Sequence, residues 1–381
     1  MIGNLDTTIL QQLWWLLVSV VGSLFLFLTF VQGGQTLLWQ VAKSDTEKNL
    51  VINSLGRKWE LTFTTLVLFG GALFAAFPKF YSTSFGGAYW VWILILFTFI
   101  LQAVSYEFRK KPGNLLGAAT YEVFLFINGA VGILLIGAAV GTFFTGSNFT
   151  LDAFNRVTWT TPLRGLDAVL SLNIFHVAFN LSMGLFLVFN ARALGAMFLV
   201  NNIDFAGVPE LEQRLRKSCL QSLICALPFL VILLLYFLFS DGFAFDRNGV
   251  VSMAHQKYFN SLMENLWMFG MLLVGLVLVV AGVLITSLKK SKAGIWLGGL
   301  GTVLVGLTVF FLAGFNNTPF YPSKADLQSS LTIYNASSSH FTLTAMTYVA
   351  MVIPLVLAYI AHVWYHMGKL SLADVQNEES Y

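Results

Sequence analysis

Charge is what this chain has little of. Of its 381 residues only 10% are Asp, Glu, Lys or Arg, against roughly a quarter in an ordinary soluble domain. With 57% of the residues hydrophobic, too few charges remain to cover a water-facing surface, and a soluble globular fold is excluded. Cysteine is nearly absent as well. Cys219 and Cys225 stand six apart at the start of an apolar segment, a spacing that matches no metal or redox motif. Both are read as small buried thiols, and no disulfide is expected. The N-terminal stretch MIGNLDTTILQQLWW has no basic n-region and no small-residue cleavage site, so the first apolar segment is expected to stay in the mature protein. The net charge of +3 comes without a basic stripe interleaved with aromatics, and no nucleic-acid partner is expected. A nucleotide loop, a nucleophile elbow, zinc-spaced cysteines and a covalent haem CxxCH motif are all missing. The chain is therefore assigned no catalytic residue and no metal ligand of its own, and any chemistry needs a partner or a noncovalent cofactor.

What the chain has is long hydrophobic runs. A spanning helix needs roughly 20 mostly apolar residues, and nine stretches qualify: 13–38, 60–82, 87–106, 118–144, 166–190, 218–240, 264–288, 294–315 and 342–366. The expected fold class is an all-α integral membrane protein with nine transmembrane helices. Thirty-six Phe, twelve Tyr and ten Trp suit interfacial anchors and bulky surfaces facing lipid and neighbouring helices.

Sidedness follows from the basic residues, which accumulate in cytoplasmic loops. With the N-terminus outside, fifteen of the 21 Lys and Arg fall inside, among them Lys43, Lys48, Arg57, Lys58, Arg109, Lys110, Lys111, Arg192 and Arg214. Six fall outside: Lys79, Arg156, Arg164, Arg247, Lys257 and Lys324. The C-terminus is then cytoplasmic. The expected organisation is a first four-helix bundle over 1–144 and an outer connecting loop over 145–165. A second four-helix bundle follows over 166–315, and then 316–381 with an outer loop, a peripheral ninth helix and a cytoplasmic tail. No residue-level repeat relates the halves. The long outer connections 241–262 and 316–341 are candidate functional or partner-binding segments.

Ionisable groups at membrane depth are costly unless paired or wetted, which makes each a functional candidate. Glu60 lies at the inner start of the second run, Glu107 at the inner end of the third in SYEFRKK, and Glu122 about a turn inside the fourth in ATYEVFLF. A partly desolvated carboxylate can take up and release protons near neutral pH, so the three, with Trp59, are candidates for a proton path. Each has a structural alternative. Glu107 neighbours Arg109, Lys110 and Lys111 and reads as an interfacial ion pair. Glu60 follows Arg57 and Lys58 and can simply complement a helix dipole. Glu122 has no basic neighbour in sequence. His176, in SLNIFHVAFNL, reads as a mid-helix buried imidazole. His255 and His340 fall in outer loops, and His362 with His366 share a helix face at a spacing that interfacial residues also adopt.

Several segments together resemble subunit II of the cytochrome bd-type quinol oxidases. INSLGRKWE leads into GGALFAAFP at residues 70–78, similar to a characteristic series of that family. Tyr106-Glu107-Phe108-Arg109 is similar to its aromatic, acid, aromatic, Arg run, and SSLTIYNASSSHFTLTAMT at 329–347 to the signature before its last span. His176 and Ala178 resemble a short His-x-Ala segment. The resemblance implies a bacterial inner-membrane quinol:oxygen oxidoreductase that generates proton motive force. In it a haem-bearing subunit I carries haem b and haem d, and subunit II ligates none. It further implies an obligate heterodimer with subunit I, a role in proton delivery, contacts with quinol and membrane lipids, a structural quinone and a small accessory subunit. Trp59 and Glu60 match the family's Trp-Asp pair, with Glu replacing Asp. Three places depart from the pattern, the first being Leu61, Thr62 and Phe63 after Glu60, where the family has a Gly-Asn pair and a Trp. Thr29-Phe-Val-Gln-Gly-Gly-Gln35 carries no acid where the family commonly has Asp, and Gln102 stands where some members have Arg. A reading of a different class is a proton-coupled secondary transporter with Glu60 and Glu122 as coupling sites.

Overall fold

The computed structural model describes residues 2–366, 370 and 371, and Lys369 lies outside the described residues. Among those described, eight continuous helical stretches are long and apolar enough to cross a membrane. The first joins α1 (Thr7–Leu28) to α2 (Phe30–Val41). The Thr29 hydroxyl donates to the Leu26 carbonyl at 2.6 Å at the junction, the kind of back-bond that bends a helix. The second joins α3 (Asp45–Gly56) to α4 (Trp59–Ala76). It ends because Pro78 cannot continue the helical hydrogen bonds, and there begin α5 (Pro78–Phe80) and a π-helical turn over Tyr81–Gly86. The third is α6 (Tyr89–Phe108). The fourth runs through α7 (Ala118–Ile127), a π-helical segment over Asn128–Gly132 and α8 (Ile133–Thr145).

After the short α9 (Asp167–Leu170), the fifth span is α10 (Ile174–Asn202) and the sixth α11 (Pro209–Phe239). Both differ from the sequence expectation. The fifth starts later and ends twelve residues later than 166–190. Asn173 caps it by accepting the His176 backbone N–H at 3.3 Å, and Arg192, expected in an inner loop, finds partners inside the helix bundle. His176 is thus a first-turn residue, half-buried, and not mid-helix. In α11 the Pro209 ring occupies a position where no N–H is needed, so the helix takes in Arg214, Arg216 and Lys217. Beyond α12 (Lys257–Glu264) come the seventh and eighth spans, α13 (Leu266–Ser287) and α14 (Gly294–Gly314). The stretch expected as one ninth helix is two shorter ones, α15 (His340–Ala350) and α16 (Ile353–His366). Pro354 cannot donate back across the Met351-Val352 turn. The side chain of His366 lies outside the described residues, and His362 is exposed. Cys219 is buried, whereas Cys225 is exposed, contrary to expectation.

The centre is α10, 72% of whose apolar window is buried; it packs against α2, α8, α11 and α14. At the end of the molecule that holds the α8–α9 connection, two hairpins not foreseen from sequence form a cap: β1 (Phe149–Leu151) with β2 (Val157–Trp159), and β3 (Gly242–Phe245) with β4 (Val251–Ala254). The 316–339 segment ties them together. Gln328 pairs with both backbone polar groups of Val251, and Ser329 accepts the Leu151 N–H at 2.9 Å. The cap is dry enough that burial pushes the Tyr321 phenol up to about 12.

Candidate functional site

The opposite, basic end holds most of the candidate residues, and one of them, Glu122, lies in a buried ion cluster. The cluster's position starts with Ser44, whose hydroxyl accepts the Glu47 N–H at 3.2 Å and caps α3, as an S-x-x-E run predicts. Glu47 in turn accepts the Lys43 backbone N–H and pairs with Arg214 of α11. Fixed in this way, α3 presents Lys48 and Asn49 to the ends of α6 and α7.

Glu122, 3% exposed, receives Arg109 at 2.9 Å and Lys48 at 3.1 Å. Trp39 Nε1 donates to the same carboxylate at 3.4 Å, its indole stacked on Phe126. Arg109 also donates to Asn49 Oδ1 at 2.8 Å. The carboxylate with no basic neighbour in sequence therefore sits between two cations brought from other helices. Glu107, one residue from the buried Tyr106, points outward and pairs with Lys111. Glu60 is exposed in the first turn of α4, where it complements the helix dipole. Its neighbour Trp59 stacks on Tyr106, the rings 5.8 Å apart and 14° from parallel. The Trp59–Tyr106 stack thus joins α4 to α6, with Glu60 and Glu107 each the next residue in sequence, while Glu122 belongs to the α3–α6–α7 cluster. His176 is near the other end of the molecule, its Nδ1 buried without a hydrogen-bond partner.

Sequence reasoning missed what connects these groups. Gln35 Nε2 donates to the Tyr106 hydroxyl at 3.0 Å, and Gln32 Nε2 to Gln102 Oε1 at 3.4 Å. Gln32 and Gln102, each a departure from the pattern the chain resembles, face one another: the loss of an acid and the loss of an Arg leave a neutral amide pair. The signal available in sequence was the spacing of Thr98, Gln102 and Tyr106, which puts three polar groups on one face of an apolar helix.

A second feature is an apolar cavity of about 100 Å³ between α10, α11, α13 and α14, lined by Met183, Phe186, Leu223, Val279 and Val305. Its polar lining is Asn190 and Thr302, which bond to each other at 3.2 Å. Among the described residues no group of three or more His, Cys, Asp or Glu could hold a metal ion.

A multi-pass helical membrane subunit with most of its buried charge at one end is the class these features define. The chain belongs to the family of cytochrome bd terminal oxidase subunit II, whose profile matches residues 10–367. It is 27% identical over 394 residues to cytochrome bd-I ubiquinol oxidase subunit 2 of Escherichia coli K12, covering 98% of each chain. It is also 27% identical over 374 residues to a probable cytochrome oxidase subunit 2 of Haemophilus influenzae, covering 93% of each. The fold is similar to a chain of the bd oxidase of Geobacillus thermodenitrificans, with a TM-score of 0.63 at 15% identity over 94% of this chain and 97% of that one. The chain is accordingly a subunit of an oxidoreductase complex that has a partner subunit and haem; these similarities give the transporter reading no support. The lining of the apolar cavity has no His, Cys or charged group.

Proposed function

We propose that this chain is the subunit II of a bd-type quinol oxidase that passes electrons from quinol to oxygen, with both haem types ligated by subunit I. The observation that carries the reading is a family match along nearly the whole chain. The complex sits in the bacterial inner membrane with the basic end in the cytoplasm and the N-terminus outside, in keeping with the inward bias of Lys and Arg. The apolar cavity suits an acyl or isoprenoid chain, of a lipid or of a structural quinone, because its lining offers dispersion contacts and almost no unpaired polarity. A small accessory subunit completes the assembly. The test is expression with and without a haem-bearing subunit I: haem absorption is expected only when both are made. A full haem complement on this chain alone would refute the assignment.

For protons, we propose entry at the α4–α6 boundary, where Glu60 and Glu107 are exposed beside the Trp59–Tyr106 stack. Exposed carboxylates exchange protons with water freely and need no conformational change to do so. Glu122 serves this path as the fixed anion that holds α3, α6 and α7 in register. His176 lies far from this entry and takes no part in it. Glu60→Gln is expected to slow oxygen reduction several-fold while the haem spectrum and the yield of assembled complex stay unchanged. Wild-type turnover in that variant would remove Glu60 from the path.

A further inference from the structure

The seam between α2, α6 and α7 holds more buried polar atoms than its own side chains can pair. Gln32, Gln102 and Asn128 are wholly buried, and Gln35 is nearly so. Gln32 Oε1, Gln35 Oε1 and Asn128 Oδ1 accept no hydrogen bond, and Gln102 Nε2 makes none. At the basic mouth Trp59 Nε1 and Arg109 Nε are in the same condition. Unpaired buried groups are rare in native proteins, and several within a few helical turns call for a common partner. Gln35 Nε2 reaches the Tyr106 hydroxyl at 3.0 Å, but the other two direct contacts are long, 3.4 Å for Gln32 to Gln102 and 3.5 Å for Asn128 Nδ2 to Thr98 Oγ1.

These groups form a column. Thr98, Gln102, Tyr106 and Arg109 follow one face of α6 at spacings of three and four, a distance of about 16 Å at the α-helical rise. Gln32 and Gln35 face it from α2, and Asn128 opens the π-helical segment, where the widened turn displaces the backbone. Gly129 makes room for the close approach, since a Cβ there would lie 2.3 Å from the Gln32 carbonyl oxygen. Beyond Thr98 the apolar cluster of Val91, Ile95, Ile133 and Ile136 closes the column. At its mouth Arg109 and Lys48 are balanced by Glu122 and by Asp45, which lies 3.8 Å from Lys48.

We propose that this seam holds a file of ordered water molecules, open to the basic end and blind at mid-membrane. Water has the size and the chemistry required: it can donate to Gln32 Oε1 and Asn128 Oδ1 while it accepts from Gln102 Nε2, and a further molecule serves Gln35 Oε1. The side chains that face the file from Thr98 to Tyr106, with Gln32, Gln35 and Asn128, carry no charge. The file therefore hydrates half the bundle without storing protons, and its apolar end prevents leakage across the membrane. This inference is independent of the oxidase reading, because it rests on the orphaned atoms alone.

The test is X-ray radiolytic hydroxyl-radical footprinting of the assembled complex, which oxidises side chains beside bound water. Tyr106 and Tyr258 are both buried, but the Tyr258 hydroxyl donates to the Phe144 carbonyl at 3.1 Å in the dry cap. Tyr106 is expected to be modified at least several-fold faster than Tyr258. The double variant Gln32→Leu, Gln102→Leu is expected to bring Tyr106 down to the Tyr258 rate while exposed Trp39 keeps its own. Tyr106 as inert as Tyr258 in the unaltered complex, or unmoved in the double variant, would overturn the proposal. Should the double variant fail to assemble, a cryo-EM map of the unaltered complex decides. Density within hydrogen-bond distance of Gln102 Nε2 and Gln32 Oε1 supports the file, and amides paired with each other and no such density refute it.

Discussion

Glu122→Gln is expected to cost the assembled complex about 3–5 kcal/mol of stability, the usual result of breaking a buried ion pair from one side. The amide can still accept from Trp39, but it leaves the buried Arg109 without a carboxylate partner, while Lys48 keeps only the exposed Asp45 at 3.8 Å. The two cations contribute unequally. Arg109 is almost wholly buried, so its charge is unscreened, whereas the Lys48 side chain is 26% exposed, and water already offsets part of its interaction. Lys48→Met should therefore be mild, about 1 kcal/mol or less, and Arg109→Gln severe. The double variant Glu122→Gln, Arg109→Gln removes both charges and should be less damaging than the sum of the singles, a coupling that a double-mutant cycle measures directly. The readout is the melting midpoint of the purified complex, followed by haem absorption, with Glu60→Gln as the exposed control. A Glu122→Gln complex that melts with the Glu60→Gln control would show that the cluster does not hold α3, α6 and α7 together.

That cluster also marks the boundary of what the sequence discloses. The spans were legible because hydrocarbon demands long apolar runs, and eight of the nine expected runs correspond to continuous helices. Where the expectation slipped, polar residues were the cause. The fifth run is expected to end at Asn190 with Arg192 in an inner loop, yet Arg192 Nη1 donates to the Thr36 carbonyl at 2.9 Å and Asn190 bonds Thr302, so both stay inside α10. Hydropathy counts such residues as loop because it cannot see a partner on another helix. The same blindness hid the site. Lys48 and Glu122 are 74 positions apart, and nothing in either local sequence announces the other. Gln32 and Gln102 each stood out as a missing charge, but only their meeting across 70 positions shows that the two losses answer one another. The cap hairpins escaped for a different reason: strands of three and four residues leave too few alternations to register a period.

Gly33→Ala is expected to be as damaging as any charge removal, although it adds one methyl group. A Cβ on Gly33 would lie 1.8 Å from the Ala191 carbonyl oxygen and 2.0 Å from its carbon. Those are backbone atoms in the middle of α10 and cannot swing aside. On the other side of the crossing, a Cβ on Gly195 would meet the Gly34 backbone nitrogen at 2.3 Å, so α2 and α10 touch main chain to main chain, as small residues allow in membranes. To admit the methyl group the helices must separate by an ångström or more. Separation loosens every contact along the seam that contains Gln32 and Gln35, and it releases Arg192 from Thr36. Overpacking typically costs about 1–3 kcal/mol when side chains can yield; here backbone must yield, and the loss should reach or exceed the top of that range. Gly71→Ala is the control. No atom lies within 4 Å of a Cβ there, and the exchange should be neutral or should stabilise α4 by about 0.5–1 kcal/mol through backbone entropy. Melting midpoints of the two complexes, measured side by side, separate the packing effect from the general preference of helices for alanine. Equal midpoints would mean that α2 and α10 do not cross in backbone contact.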